Sequence, residues 1–397
     1  MSVTVSPVQQ LSISDHLPEY TQRLFASLRR VDQRRWADIY LRGLLLGQGR
    51  KSIRRTAEEV VYEPAVQSLQ QFVNQSPWDD GPVRAQIAAE VERRAAPEAW
   101  TIEYAITRKR GNRSAGVERR FVPWDGRVLN CQVGIGLFLT SRDTAVPVNW
   151  RLLLSPRWTA DPVHRKRARI PEPVGARSEA AEILDMVDEL RRGWRLPARP
   201  LLGEWRRADH AEELLLGLAE RDQPFLVEVG DGLLVTEPPA AAPRPGRAAT
   251  RTEPAPAREY LRPREARRRD VLPLVGGDGT RFARLSSAPV ALAAAPARPP
   301  VHRPLRLIGM QQAADWGRGR YWVTNMPEPP AKQIGELVGL TRVSSSVRER
   351  LGAEFGLHSF EGRSYPGWHH HMTMVSAAAG YAGLFAGRVA SDRAAIS

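Results

Sequence analysis

The spacing of apolar residues changes near residue 100, and this change constrains the fold more than any other feature of the sequence. Between residues 14 and 96 apolar side chains recur at every third or fourth position, as in Tyr20, Leu24 and Leu28. This period predicts amphipathic helices. From residue 100 onward, short apolar runs of strand length alternate with helical segments. The order predicts a helical N-terminal region followed by an α/β sheet domain.

The first strands after this change are delimited by turn residues. Asp125 and Gly126 stand between two apolar runs, which is a strong signal for a β-hairpin. The single cysteine, Cys131, lies in such a run and is interpreted as a buried strand residue, and one cysteine excludes an internal disulfide. We predict strands at residues 100–106, 128–139, 148–154, 198–202 and 224–229, and helices at residues 179–191 and 211–221.

A stretch rich in proline, alanine and arginine, residues 238–269, interrupts the sheet domain. Because it lacks an apolar period, we predict a flexible linker, although its arginines leave contact with DNA as an alternative. We predict further strands at 288–292 and 320–325, helices at 332–340 and 345–355, and a closing helix at 372–389. The predicted domains are residues 1–97, 98–236, 237–300 (the insertion leading into a strand region) and 301–397.

The net charge of +14 favours a polyanionic partner, DNA or RNA. A basic cluster at the start of a predicted helix can lie along phosphates, and a solvated edge of a helical bundle explains it equally well. This cluster comprises Arg50, Lys51, Arg54 and Arg55. No apolar run approaches the roughly 20 residues that span a bilayer, so we expect no membrane partner. The first ten residues lack the pattern of a secretion signal, so we expect a cytoplasmic location.

Six segments, in order along the chain, resemble segments of the insertion-sequence transposases of the 701-type group, which are relatives of the YREK branch of the DDE superfamily. The most specific is FEGRSYPGWHHH at residues 360–371. The others are YLRGLLLG at 40–47, QQFVNQSPW at 70–78, NCQVG at 130–134, VNWRL at 148–152 and YWVTNMP at 321–327. Only the proline-rich stretch falls outside the resemblance.

The resemblance implies an RNase H-like fold, in which a mixed sheet with flanking helices is interrupted by an insertion and preceded by a helical DNA-binding domain. We expect five strands, with the strand near Leu201 beside the first strand. Proteins of this group cut and join DNA with two Mg²⁺ ions, which are held by two strand aspartates and one helical glutamate. DNA is therefore the expected partner, and both a monomer and a homodimer remain open.

At the three acidic positions this chain departs from the group. The resemblance places the two strand aspartates at Glu103 and Glu204, which we expect to lie close together as the remaining metal candidates. It places the helical glutamate at Ser345, a neutral residue. Glu349, one helical turn further on, is a candidate substitute. The arginine and lysine that accompany the group's glutamate align with Thr341 and Gly352.

Further basic residues in the resembling region are candidates for contact with DNA. These are Arg108, Lys109, Arg110 and Arg363. The three histidines at 369–371 are consecutive, so their side chains point in different directions and cannot all bind one metal ion. We interpret them as structural or phosphate-facing.

The sequence therefore predicts a transposase relative that binds DNA but has lost most of the metal site and with it the cutting reaction. Three alternatives stay open at this point. The chain can be an active or residually active Mg²⁺-dependent nuclease, a mobile-element remnant without function, or a protein whose former acidic cleft binds a small molecule.

Overall fold

The computed structural model describes residues 16–47, 49, 51–55, 65–122, 125–205, 211–238, 253–262, 270–276, 279–293, 304–312 and 319–394. The chain forms two compact units. Unit 1 comprises Met1–Pro97, Glu103–Glu179 and Val343–Ser397, and unit 2 comprises Glu98–Ile102 and Ala180–Arg342. Residues 1–97 thus share a unit with later parts of the chain.

The helices of unit 1 are α1 (His16–Leu24), α2 (Val31–Leu46), α3 (Ala65–Asn74), α4 (Gly81–Ala95), α5 (Pro156–Thr159), α6 (Pro162–Ala168) and the long C-terminal helix α11 (Tyr365–Ala394). Helix α7 (Glu179–Asp188) lies in unit 2 apart from its first residue. Helix α11 contacts α1 to α4, and small residues let it approach them closely. A Cβ atom on Gly380 would lie 2.6 Å from the hydroxyl of Tyr20, which donates to the carbonyl of Ala377.

Helix α11 begins earlier than the sequence predicts. The prediction starts it at residue 372, whereas the structure starts it at Tyr365. Pro366 occupies the first turn, where a proline fits because its missing N–H would have no partner within the helix.

Unit 1 also contains an antiparallel sheet. Its strands are the second part of β1 (Ala99–Arg108) with β2 (Glu118–Val122), β3 (Arg127–Thr140) and β4 (Ala145–Leu152). β3 pairs with β2 and with β4, and Phe121 lies opposite Val128 in the β2–β3 pair. The predicted hairpin turn is confirmed, with Gly126 at φ +64. Cys131 is fully buried on β3, as predicted.

Unit 2 has a mixed sheet. Its strands are the start of β1, β5 (Leu201–Trp205), β6 (Phe225–Val229), β7 (Leu234–Thr236), β8 (Ala255–Pro256), β9 (Asp270–Gly276), β10 (Gly279–Leu292), β11 (Leu305–Gln312) and β12 (Arg320–Thr324). β5 runs parallel to both β1 and β6, with Trp100 opposite Leu201, so the predicted pairing of the first strand is confirmed. β12, β11 and β10 continue as antiparallel neighbours. The mixed α/β class with flanking helices, consistent with an RNase H-like fold, is confirmed.

The described strands outnumber both the seven that the apolar runs predict and the five that the resemblance implies. The additional strands lie mostly between residues 234 and 312, where the sequence shows little apolar alternation. Their order comes from backbone pairing over long registers, as between β10 and β11. The predicted strand at 288–292 lies within β10 and is confirmed. The sequence does not reveal the other strands, because pairing through backbone hydrogen bonds does not depend on a particular side-chain pattern.

Part of the predicted flexible stretch is ordered. Residues 239–252 and 263–269 lie outside the described residues, but Ala257–Leu261 forms helix α9. Its residues Ala257, Tyr260 and Leu261 are buried, and the Tyr260 hydroxyl donates to the carbonyl of Pro289 at 2.9 Å. The prediction of a flexible linker is therefore wrong for this piece, because two adjacent large side chains find a place in the core of unit 2.

Helix α8 (Ala211–Glu220) follows the sequence prediction, whereas α10 (Ala331–Glu354) is one helix where the sequence predicts two. The expected break lay between residues 340 and 345. The Thr341 hydroxyl bonds to the carbonyl of Val338, and the helix continues through it. The first part of α10 belongs to unit 2 and the last part, from Val343, to unit 1. Among the described helices none has the length and apolarity that crossing a bilayer would require.

Candidate functional site

The carboxylate of Glu103, on β1 in unit 1, is buried and fully engaged by helix α10. Its Oε1 atom accepts hydrogen bonds from the hydroxyls of Ser344, at 2.6 Å, and Ser345, at 2.9 Å. Its Oε2 atom accepts one from Nε of Arg348, at 3.1 Å. Two positions that the resemblance aligned with acidic residues, Glu103 and Ser345, are thus in direct contact although 242 residues separate them in sequence.

Helical geometry explains why Ser344 and Arg348 act together. Residues four apart lie on one face of a helix, so these two side chains both reach β1. Glu349, the candidate substitute acid, is 73% exposed, and its carboxylate lies 3.6 Å from Nη2 of Arg348. Its contact is therefore with the outer side of the arginine, and no hydrogen bond links it to the Glu103 cluster, the name we use for Glu103, Ser344, Ser345 and Arg348.

Burial dominates the electrostatics of this cluster. Desolvation raises the pKa of Glu103 above its ordinary value, and the hydrogen bonds from Ser344 and Ser345 and the charge of Arg348 offset only part of the rise. A buried carboxylate is costly unless it is paired. Arg348 supplies the compensating positive charge, at 3.1 Å from the carboxylate.

The surroundings of β1 beyond Glu103 are also cationic. Thr107 lies on the same face of β1, and its hydroxyl is 3.0 Å from Nδ1 of His358. The pKa of His358 is lowered by burial and by the charges of Arg348 and Lys109. Positive side chains therefore surround this face of the strand in unit 1.

These residues do not fit a pair of Mg²⁺ ions. Such a site needs about three carboxylate ligands in near-octahedral geometry. In the described part of the chain no group of three or more histidine, cysteine or acidic side chains is arranged to hold a metal. At Glu103 two hydroxyls and a guanidinium already occupy the carboxylate oxygens. The groups around Glu103 are those expected for a carboxylate whose charge is balanced by an arginine.

Glu204, the second predicted acidic position, lies in unit 2 on β5 and is exposed. It stands opposite Glu228 of β6, which is buried and forms a two-armed ion pair with Arg320 of β12. Burial lowers the pKa of Arg320, but the hydrogen bond and charge of Glu228 and the charge of Glu204 raise it overall. Glu204 thus also lies in the field of an arginine. Its expected closeness to Glu103 stays a prediction.

The three consecutive histidines of α11 point in three directions, as the sequence predicts. Nδ1 of His369 lies 3.1 Å from the carbonyl of Tyr365. His371 accepts from the Tyr40 hydroxyl at Nδ1 and donates from Nε2 to the carbonyl of Gly356, both at 2.9 Å. Burial lowers the pKa of His369 and of His371 to about 4.

His370, the middle histidine, has both ring nitrogens engaged. They lie 2.9 Å from the carbonyls of Val73 and Trp78, and the ring stacks on the indole of Trp78. Two acceptors and the charge of Asp80 favour the charged ring, while burial lowers the pKa below its ordinary value. We call His369, His370 and His371 the histidine cluster; all three residues are buried.

The predicted DNA contacts of the N-terminal cluster differ from one another. Arg50 lies outside the described residues. Arg54 and Arg55 are exposed. Lys51 is buried, and its ammonium donates to the carbonyl of Gly47, so the expectation of a free phosphate-facing lysine is wrong there. The reason is that its side chain packs against Gly356.

The structure brings the other predicted basic residues together in unit 1. Arg108 forms an ion pair with Asp125 at 2.6 Å. Lys109 donates to the carbonyl of Phe360 and lies over its ring. Arg110 is exposed, and so is Arg363, whose carbonyl accepts from the backbone of Ala115 in the loop that follows β1.

Sequence reasoning missed Ser344 and Arg348, the two residues that complete the Glu103 cluster. A run of serines at 344–346, where a predicted helix begins, is a weak signal for a polar partner. The four-residue spacing between Ser344 and Arg348 is the only further indication, and it becomes meaningful once β1 is known to lie against that face.

A model of the family described as DDE superfamily endonuclease matches residues 23–279 of the chain. The match covers Glu103 and Glu204 and ends before helix α10. No curated protein matches the chain.

Proposed function

The chain belongs to the DDE superfamily endonucleases, and from that premise we propose that it binds DNA without cutting it. The family is one of DNA-processing enzymes, so DNA is the partner class that its fold evolved to hold. The finer part of the proposal, the loss of cutting, rests on one observation. This is the occupation of the Glu103 carboxylate by Ser344, Ser345 and Arg348.

The charge balance of the Glu103 cluster supports this loss. Two metal ions bring four positive charges, which the family balances with three carboxylates. The Glu103 cluster offers one carboxylate and one guanidinium, so it carries no net negative charge. A cation placed there would meet Arg348 at short range. Both metal affinity and the activation of water should therefore be very low.

Glu204 supports the same conclusion from unit 2. Its carboxylate shares the environment of Arg320, which also pairs with Glu228. The longer side chain of glutamate moves a carboxylate by roughly 1.5 Å relative to aspartate, the length of one C–C bond. A shift of about 1 Å in a positioned catalytic group can cost about 100-fold in rate.

Exposed arginines support the retained binding of DNA. Arg54, Arg55, Arg110 and Arg363 are exposed in unit 1, and the whole chain carries a net charge of +14. Arginine contacts with phosphates release counterions, so affinity should fall steeply with salt. We expect Arg54→Ala with Arg55→Ala to weaken binding to all duplexes alike and to reduce the slope of log affinity against log salt by up to about two.

The cutting reaction is tested with labelled duplex and supercoiled plasmid in Mg²⁺ and in Mn²⁺. The unmodified protein should bind both DNAs and nick neither. A matched variant restores the acids and removes the arginine: Glu103→Asp, Glu204→Asp, Ser345→Glu and Arg348→Ala. Gain of nicking in this variant would locate the loss at these four positions. Metal-dependent nicking by the unmodified protein that disappears in Glu103→Ala would contradict the proposal.

A further inference from the structure

The β2–β3 hairpin of unit 1 displays an apolar pair to solvent. Phe121 is 54% exposed and Val128 is 53% exposed. They lie directly opposite each other in the antiparallel register, so both side chains are on one face of the hairpin. Arg119 and Asn130 are the next opposed pair on this same face, and Arg119 is also exposed.

A basic loop borders this face and is fixed to it at two points. The side-chain amide of Asn130 donates to the carbonyls of Lys109 and Gly111, at 2.7 and 3.0 Å. At the other end, Arg108 pairs with Asp125 in the turn of the hairpin. The loop that carries Arg110 and Arg113 is therefore held beside the apolar pair.

The arginines around the apolar pair lack counter-charges. In the part of the chain that the structure describes, no acidic side chain pairs with Arg110, Arg113 or Arg119. All three side chains are exposed. We name the surface formed by Arg119, Phe121, Val128 and the loop from Arg108 to Arg113 the hairpin face.

We propose that the hairpin face binds DNA at unpaired bases, with Phe121 stacked on a base and the arginines on the flanking phosphates. This inference rests on the proposed function and names the part of the surface and the form of DNA that it takes. Every base offers an apolar π-face to an aromatic ring, whereas in a continuous duplex the faces of the bases are covered by their neighbours. Arginines alone would suffice for a duplex backbone, and the exposed ring would then have no partner.

The charge of the hairpin face argues against a second copy of this chain as its occupant. In a two-fold dimer the same patch meets itself, and arginines without counter-charges would face each other. Like charges across an interface are strongly unfavourable. A polyanion with apolar faces satisfies both features of the surface.

The test compares two labelled DNAs of the same sequence by fluorescence anisotropy, a blunt duplex and a duplex with a single-stranded overhang. Phe121→Ala should weaken binding of the overhang DNA about tenfold, the loss of one stacked base, and change blunt-duplex binding less than about twofold. Phe121→Trp should retain the preference. The matched control is Val31→Ala, because Val31 is 73% exposed in the same unit and belongs to helix α2 rather than to the hairpin.

Arg119→Ala provides a second measurement that does not depend on the ring. It should weaken both DNAs and lower the salt slope by about one. Equal affinity of the unmodified protein for both DNAs, or Phe121→Ala binding like Val31→Ala, would overturn the inference and leave the proposed function standing. Absence of binding to any DNA would overturn both. A drop in oligomeric mass in Phe121→Ala, measured by sedimentation, would assign the patch to self-association and also overturn it.

Discussion

The Glu103 cluster and the histidine cluster are both buried polar groups of unit 1, and both contain residue types that bind metals elsewhere. They differ in how their polar atoms are satisfied. The histidines bond to backbone carbonyls and to the hydroxyl of Tyr40, and each ring faces a different part of the unit. Glu103 bonds to two side-chain hydroxyls and a guanidinium from a single helix.

This difference teaches that residue type alone does not make a metal site. In the histidine cluster the three side chains cannot share an ion, because consecutive residues on a helix point in different directions. In the Glu103 cluster the side chains do converge, and charge excludes the ion instead. In the first arrangement buried rings bond to groups in different parts of the unit, whereas in the second a buried carboxylate is paired with two hydroxyls and an arginine.

Low pH should distinguish the two clusters most strongly, through its effect on the free energy of unfolding. Burial lowers the pKa of His369 and His371 to about 4, from 6.5. Between pH 4 and pH 6.5 these two histidines are therefore protonated in the unfolded chain and neutral in the folded chain. The free energy of unfolding should fall by about 1.4 kcal/mol per pH unit for each histidine as the pH drops from 6.5 to 4. Above pH 6.5 these groups should contribute no pH dependence. Urea unfolding across this range measures the slope, and a flat profile would contradict the account of buried neutral histidines.

His371→Ala should produce the largest loss among single substitutions. It removes a fully buried ring and leaves the Gly356 carbonyl and the Tyr40 hydroxyl without their partner. We expect a loss of about 3 kcal/mol in unfolding free energy, and about 1 kcal/mol for the control Tyr40→Phe. Unfolding of His371→Ala between pH 4 and pH 6.5 should also take up about one proton fewer, so its unfolding free energy should depend less steeply on pH. Equal losses in the two variants would show that the ring contributes nothing beyond its bond to Tyr40.

Arg348→Ala should cost less, because the arginine side chain is 31% exposed and water screens the charge that remains. We expect the unfolding free energy to fall by about 2 kcal/mol, because a buried carboxylate loses its cation. Adding Glu103→Gln should recover most of the loss, because the neutral amide needs no counter-charge. If Glu103→Gln gives no recovery, the arginine stabilises the helix by packing rather than by its charge.

Ser344→Ala should cost less than Arg348→Ala, about 1 kcal/mol, for one hydrogen bond to a carboxylate. Ser344 is fully buried and its bond to Glu103 is the shorter one, so its loss should exceed that of Ser345→Ala. Thermal unfolding of the two variants side by side measures the difference. The reverse order would place the main support of Glu103 on the position aligned with the family's helical acid.

The sequence predicts the elements that local pattern determines. The runs that became β1 and β3 are apolar, and the turn at Asp125 and Gly126 has the residues that a tight hairpin requires. Helix α10 was predicted in two pieces, with a break between residues 340 and 345, whereas the structure has one continuous helix. Strands such as Leu305–Gln312 depend on backbone pairing with distant segments, which no local pattern records.

The candidate site was predictable only in part, for a related reason. The resemblance located Glu103 and Ser345, and the structure joins them by a hydrogen bond. Ser344 and Arg348 were missed because the rotation of α10 relative to β1 is a tertiary property. The burial of Lys51 has the same origin, since Gly356, which lies far along the chain, covers it.

Binding of Mn²⁺ to the folded protein tests the central claim most directly, because it does not depend on finding the right DNA. Isothermal titration of the unmodified protein should show no saturable site at millimolar metal. The variant with Glu103→Asp, Glu204→Asp, Ser345→Glu and Arg348→Ala serves as the matched comparison and should show measurable binding. Stoichiometric binding of Mn²⁺ by the unmodified protein that is lost in Glu103→Ala would contradict the account, because it would show that Arg348 leaves the carboxylate free for a metal.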